Sequence, residues 1–299
     1  MQSKLMVQQK NRVIVSCENL RFAYSNQQPV LKGISLKLYQ EESTVLFGKS
    51  GSGKTTLLKF ISGYSKPDSG KIVVSNLLEI KESSTLSSVD ENTQYAHKIA
   101  QFWEQMQTQK RISFSWWEYL FQGTRSFHGY MVFADCSNAL PQLTAEENLY
   151  LVLAPICFDR ELRRKTTKLL LKLTGLTEVS QQKPVELSSG QLRRLCLAQA
   201  LAVNPGLLIM DEPTNGLDFS TKSSFLTFLE QLRQLVGITI LSVTHDLEAA
   251  LLLADRLLLF RDGQIVNEVF VDKPHPRKLQ DIDTPEYTHL RRILTDFLQ

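Results

Sequence analysis

Short apolar runs bounded by glycine, proline and polar residues alternate along the chain with stretches whose apolar positions recur at spacings of three and four. Arg12–Cys17 (RVIVSC) and Ile34–Leu38 (ISLKL) have period two between Asn, Gln, Pro and Gly, which predicts antiparallel strands. Ser43–Phe47 (STVLF) is a compact apolar run that meets Gly48 and then the helix-like KTTLLKFISGY, predicting strand, tight loop and helix in that order. Gly206–Met210 (GLLIM) and Gly237–Val243 (GITILSV) predict buried strands on either side of a helix over Ser220–Leu235. Strands alternating with helices imply a parallel sheet covered on both faces. Thr144–Ala202 carries LLLKLTGL and LRRLCLAQALAV, the pattern of a helical subdomain inserted into the sheet domain. Leu290, Ile293, Leu294, Phe297 and Leu298 form the stripe of a short amphipathic helix that docks on its own domain, a partner-facing surface being the alternative.

Composition narrows the class. In 299 residues, 42% apolar and 22% charged with 14 Gly and 10 Pro exclude a collagenous, disordered or disulfide-scaffold chain. The balance of 34 basic against 31 acidic residues, net +3, gives no support for a nucleic-acid footprint. The longest apolar run, Ala249–Phe260, is cut by Asp255 and Arg256, well short of the roughly 20 residues a membrane helix needs. The opening MQSKLMVQQKNR lacks a signal-peptide core, so the expectation is a cytosolic chain that touches a membrane only through a partner. Cys17, Cys136, Cys157 and Cys196 form no CxxC pair and read as buried small hydrophobes.

Three motifs carry chemistry. GKSGSGKT at Gly48–Thr55 fits a phosphate-binding loop, in which glycines let backbone N–H groups curl around phosphate oxygens at a helix N-terminus. Lys54 would reach the β and γ phosphates and the Thr55 hydroxyl would hold Mg²⁺. LLIMDEP at Leu207–Pro213 is an apolar strand ending in two carboxylates: Asp211 suits the Mg²⁺ shell and Glu212 the polarisation of a water, a helix cap being the structural alternative. LSSGQ at Leu187–Gln191 opens a helix, where Ser188 and backbone N–H groups make a second anion site. Two phosphate-binding ends for one nucleotide are resolved most simply by a head-to-tail pair of chains.

In this order and spacing the motifs resemble the ATP-binding subunit of ABC (ATP-binding cassette) transporters, from about Val13 to Val271. The resemblance implies an α/β P-loop NTPase fold of the ABC type: an antiparallel β subdomain, a parallel-sheet core and an inserted α-helical subdomain over about 144–202. It places the ATPase domain at 12–272 and a tail at 273–299. It makes Tyr24 the ring that stacks on adenine, and assigns nucleotide contacts to Gly48, Lys49, Ser50, Gly51, Ser52, Gly53, Lys54, Thr55 and Thr56. It further implies nucleotide contacts from Leu187, Ser188, Ser189, Gly190 and Gln191, and makes Asp218 part of the loop that communicates across a dimer. Thr55 and Asp211 become metal residues, Glu212 the general base and His245 the switch histidine that senses the γ-phosphate. Ser189 stands where glycine is usual.

Two departures stand out. The family's glutamine, which ends a strand before a Pro-x-Leu-Thr segment, aligns with Ala134 in GYMVFADCSNALPQLT; Asp135, Gln142 or Phe121-Gln122 are the other candidates for its place. The segment 76–128 replaces a short connection and holds Trp103, Trp116 and Trp117, and reads either as a satellite core or as a docking surface. The implied activity is ATP hydrolysis with ATP and Mg²⁺, by paired cassettes at the cytoplasmic face, powering separate integral membrane permease subunits. The alternative is a degenerate, mainly ATP-binding cassette that pairs with a competent one, as Ala134 suggests. The closing NEVFVDKPHPRKLQDIDTPEYTHLRRILTDFL is similar to the tails of nitrate, sulfonate and taurine importer ATPases.

Overall fold

The computed structural model describes residues 12–24, 28–74, 129–133, 136, 138–203, 205–273 and 275–299. The segment 76–128 with its three tryptophans, and Ala134 and Asp135, lie outside the described residues. In chain order the elements are β1 (Val13–Phe22), β2 (Leu31–Tyr39), β3 (Ser43–Phe47), α1 (Lys54–Ile61), β4 (Ser69–Val74) and β5 (Gly129–Phe133). The helices α2 (Ala145–Leu153), α3 (Arg160–Leu173) and α4 (Ser189–Ala202) follow. Then come β6 (Leu207–Asp211), α5 (Phe219–Val236), β7 (Thr239–Thr244), α6 (Leu247–Leu253), β8 (Arg256–Arg261), β9 (Gln264–Phe270) and α7 (Pro285–Leu298). They fall into two compact units, Met1–Glu79 with Gly206–Gln299, and Ile80–Pro205.

In the first unit, β2, β1 and β4 form an antiparallel sheet with β1 in the centre. From Ile34 onward strand β2 alternates, burying Ile34, Leu36 and Leu38 while Ser35 and Lys37 face out, as one-sided burial of a strand requires; Leu31, also buried, lies beyond a register shift against β1. The other strands of the unit run in the order β6-β7-β3-β8-β9. Pairing is parallel through β8, with Val45 opposite Ser242 on one side and Leu257 on the other, and β9 closes the edge antiparallel. Every residue of β3 and of β7 is buried, the signature of strands covered on both faces.

The apolar run Ala249–Phe260 is divided into a helix and a strand. Helix α6 starts on Asp246, whose carboxylate accepts from the N–H groups of Glu248 and Ala249, and ends at Leu253. The charges that interrupt the run are both answered. Asp255 accepts from the Ser43 N–H at 2.8 Å and from Arg233 at 2.8 Å, while Arg256 reaches Glu42 at 2.6 Å and Glu268 at 3.1 Å. No helix among the described residues is long and apolar enough to cross a membrane.

The tail docks on its own unit, as its stripe predicts: Leu294 is fully buried, Tyr287 and Leu290 nearly so, and each such side chain contributes about 1.5–3 kcal/mol. Its approach is clasped by Arg277, whose buried guanidinium donates to the carbonyls of Leu251, Ala254, Val271 and Lys273. Beside it the His275 ring bridges two carboxylates, Glu230 through Nδ1 and Asp255 through Nε2 at 2.7 Å, with Arg233 and Arg277 close by. Burial opposes charge on this ring, but the hydrogen bonds to Asp255 and Glu230 outweigh it and raise the His275 pKa above its ordinary value. Burial likewise disfavours the Asp255 anion, yet the bond from His275 and the charge of Arg233 bring it down to about 2. Both carboxylates therefore stay ionised near neutrality, and the histidine alone titrates. A group whose pKa rises on folding stabilises the fold fully below its unfolded value and loses that contribution as pH climbs through the folded one. Heating the protein at about pH 6 and about pH 8.5 should show a larger loss of stability with pH for wild type than for His275→Gln. Equal slopes would remove His275 from this role.

Among its described residues the second unit carries three α-helices, each begun by a side-chain cap. Thr144 and Glu147 form a reciprocal capping box on α2, Asp159 caps α3, and Ser188 with Gln191 forms a second box on α4. Leu149, Leu153, Leu170, Leu195 and Leu201 are fully buried. Buried Asn148 accepts from the Leu140 N–H and donates to the carbonyls of Leu140, Leu143 and Thr144, fixing the chain that enters α2.

Candidate functional site

The loop between β3 and α1 has a shape that its sequence makes obligatory at two glycines. A Cβ on Gly48 would lie 2.1 Å from the carbonyl oxygen of Phe260, so no side chain fits there. Gly53 has φ 107° at the start of α1, a region closed to residues with a Cβ, and sits against the Val30 carbonyl. Gly48 N–H donates to the Thr244 carbonyl at 3.4 Å, Ser52 Oγ to the Lys49 carbonyl at 2.8 Å, and Gly263 N–H to the Ser52 carbonyl at 3.2 Å. The loop thus rests on β7, on the β8–β9 turn and on the start of β2. No side chain caps α1, so its first N–H groups face outward at the positive end of the helix dipole.

Lys54 is 5% exposed, and its ammonium donates to the carbonyls of Gly48 and Lys49, both at 2.7 Å. Burial lowers its pKa, against the opposing pull of Glu212 and Asp211. Thr55 is exposed, and its hydroxyl donates to Asp211 Oδ1 at 3.2 Å. Burial raises the Asp211 pKa and the neighbouring Glu212 adds to this, while the Thr55 hydrogen bond and the charge of Lys54 oppose it. A hydroxyl and a carboxylate are hard oxygen donors, the set that Mg²⁺ takes together with water and phosphate. Among the described residues no group of three or more His, Cys, Asp and Glu forms a cage for a metal. A cation here would need the oxygens of a ligand to complete its shell, which suits Mg²⁺ bound with a nucleotide.

Glu212 follows directly. Its backbone has φ 48°, a left-handed conformation that costs a non-glycine residue about 1–3 kcal/mol. Its N–H donates to the Val243 carbonyl at 3.0 Å, which holds the residue in this conformation, and its Oε1 lies 2.8 Å from His245 Nδ1. Glu212 is mostly covered, whereas the His245 ring is about half exposed at 48%. Parallel neighbours β6 and β7 deliver the two side chains to the same sheet end as the phosphate loop.

The remaining candidates are placed as follows. Tyr24 is 47% exposed, stands edge-on to Phe22 at 4.8 Å, and exchanges a hydrogen bond with Thr56 at 3.2 Å, leaving ring surface open to stacking. Asp218 caps α5 by accepting from the Thr221 N–H at 3.0 Å, and hydrogen bonding from the Thr221 side chain, followed by that N–H, lowers its pKa. In the second unit the Ser188 hydroxyl accepts from the Gln191 N–H at 3.2 Å. Ser189 is the first residue of α4 with ordinary helical backbone, so serine in place of glycine brings no strain. Thr244, Val30 and Phe260 support the phosphate loop and carry no motif; only Thr244, within LSVTHD, lies near a residue the motifs single out.

The family profile described as ABC transporter matches residues 31–215. The nitrate import ATP-binding protein NrtC of Synechococcus elongatus is 31% identical over 91% of this chain, which spans only 36% of that relative's length. The bicarbonate transport ATP-binding protein CmpD of the same species is 30% identical over 90% of this chain and 83% of its own. Among solved structures, cbiO1 from Clostridium perfringens, part of the ABC transporter complex cbiONQ, superposes with a TM-score of 0.67 at 25% identity, covering 94% of this chain and 99% of that one. A dimeric post-hydrolysis state of the ATP-binding cassette MJ0796 bound to ADP and Pi gives 0.62 at 26% identity, over 87% and 100%. The chain belongs to the ABC transporter family, as an ABC-type ATPase cassette of P-loop NTPase fold.

Proposed function

We propose that this chain binds ATP with Mg²⁺ and hydrolyses it as the motor of a transporter whose membrane-spanning subunits are separate chains. The observation that carries the reading is the Glu212–His245 hydrogen bond of 2.8 Å at the sheet end that also carries the phosphate loop. In the bound state the loop N–H groups and Lys54 hold the phosphates, and Tyr24 stacks on the base. Thr55 and Asp211 would hold Mg²⁺, which would supply charge neutralisation to the phosphates. Glu212 accepts a proton from the attacking water, and His245 fixes the carboxylate in place while facing the γ-phosphate. Leu187–Gln191 completes the site of a second, head-to-tail cassette, contributing Ser188 and the α4 N-terminus, and Asp218 lies on the communicating loop. The pair works at the cytoplasmic face, bound to integral permease subunits. The relatives named for nitrate import and bicarbonate transport, with the similar tail, support import of a small anion.

The second reading, a weak cassette paired with a competent one, is favoured by Ala134 alone. Measured phosphate release separates them. The purified chain should release phosphate from ATP only with Mg²⁺, at a rate that rises more steeply than linearly with its own concentration, since two copies make each site. A strictly linear dependence would remove the pairing. Absence of Mg²⁺-dependent release, restored in an Ala134→Gln variant, would establish the weak cassette.

A further inference from the structure

Four contacts join the end of α7 to the phosphate loop and to the strands β3 and β8 behind it. The Phe297 ring lies 6.3 Å from that of Phe47, the fully buried residue that ends β3 and immediately precedes Gly48. The Arg261 guanidinium sits 4.5 Å over the Phe297 ring and also donates to the Phe297 carbonyl. Lys49, the second residue of the loop, donates through Nζ to the backbone carbonyl of Gln299 at 3.2 Å. Arg261 follows Phe260, whose carbonyl is the surface against which Gly48 is wedged. Phe47, Gly48, Phe260, Arg261 and Phe297 therefore close a ring of contacts around the base of the loop.

We propose that Phe297 is a positioning residue for nucleotide binding: in contact with both Arg261 and Phe47, it holds the start of the phosphate loop in its binding shape. The idea rests on the reading of Gly48–Thr55 as a phosphate site. The loop is backed on its other sides by fixed main chain, through Thr244, Val30 and Gly263. Among the described residues the tail adds a support that arrives from a helix, anchored in turn at Arg277 and His275. An aromatic pair and a cation over a ring couple the two parts by direct packing, so removal of the ring should loosen the loop while leaving the chemical groups in place.

The test uses the full chain with Phe297→Ala, Phe297→Leu and Phe297→Tyr. Phe297→Ala should raise the ATP concentration for half-maximal turnover by about three- to tenfold and leave kcat within about twofold. Phe297→Tyr, which keeps the ring, should behave as wild type, and Phe297→Leu, which keeps the apolar cover but not the face beneath Arg261, should fall between. If Phe297→Ala does not fold, Phe297→Leu carries the test. Amide hydrogen exchange without nucleotide gives a second reading: residues 49–53 should exchange faster in the Ala and Leu variants, with residues 257–260 of β8 unchanged. A folded Phe297→Ala with wild-type half-saturation and wild-type exchange at 49–53 overturns the proposal, as does a loss confined to kcat. Should wild type itself bind no ATP, the function proposed for the chain fails instead, and the exchange comparison alone decides whether the tail orders the loop.

Discussion

Replacing Glu212 by Gln is expected to lower phosphate release about 10²–10⁴-fold and to leave ATP binding close to wild type. The amide can still meet His245 Nδ1 at the 2.8 Å of the carboxylate, so the substitution removes proton acceptance and little else. The backbone sharpens the comparison. Glutamine bears the same left-handed φ of 48° as glutamate, so strain is common to both proteins, which would not hold for a glycine variant. With hydrolysis blocked, the ATP-bound pair should accumulate, and sedimentation with Mg²⁺ and ATP should show a dimer that wild type forms only briefly. Turnover within about threefold of wild type would remove Glu212 from the general-base role, for it would show less than the lower bound for such catalysis.

Lys54→Ala is expected to abolish nucleotide binding rather than slow the chemistry. Each charge-assisted hydrogen bond from the ammonium to a phosphate is worth about 1.5–3 kcal/mol, so losing two corresponds to about a hundredfold or more in affinity. The same side chain also donates to the Gly48 and Lys49 carbonyls, so the loop loses an internal tie as well as a ligand contact. Calorimetric titration with ATP distinguishes the two substitutions, because Glu212→Gln should give heat and Lys54→Ala none. An affinity for ATP in Lys54→Ala within about threefold of wild type would displace Lys54 from the phosphate site.

Much of this arrangement could be read from local pattern, because each motif joins an element to its own neighbour in sequence. STVLF before GKSGSGKT, and LLIM before Asp211 and Glu212, announce strands that run into those motifs, and both strands form in the fold. The helix caps at Thr144, Ser188, Asp218 and Asp246 are equally local. What the pattern could not convey is support that comes from far away. That Gly48 must be glycine because Phe260 stands behind it depends on β3 and β8 being neighbours, and nothing in either segment specifies that pairing. The split of Ala249–Phe260 into helix and strand is of the same kind, since Asp255 and Arg256 read as a flaw in an apolar run until their partners Ser43, Glu42 and Glu268 are known. The left-handed Glu212 has no signature in sequence either, for its cost is met by a hydrogen bond that its N–H donates to the neighbouring strand. Asp218 shows the converse: its motif points to communication between cassettes, while its visible contact is that of a helix cap.

The central position of β3 bears on how the protein is made. Its two partners, around Ser242 and Leu257, lie about 200 residues downstream, so at a synthesis rate of about 5–20 residues per second β3 waits roughly 10–40 s for them. Throughout that interval a strand destined for complete burial, together with the phosphate loop it carries, has neither neighbour available. Assembly of the phosphate loop on its strand is therefore a late event of biosynthesis, and nascent chains halted before β7 would display a strand destined for complete burial with both edges free.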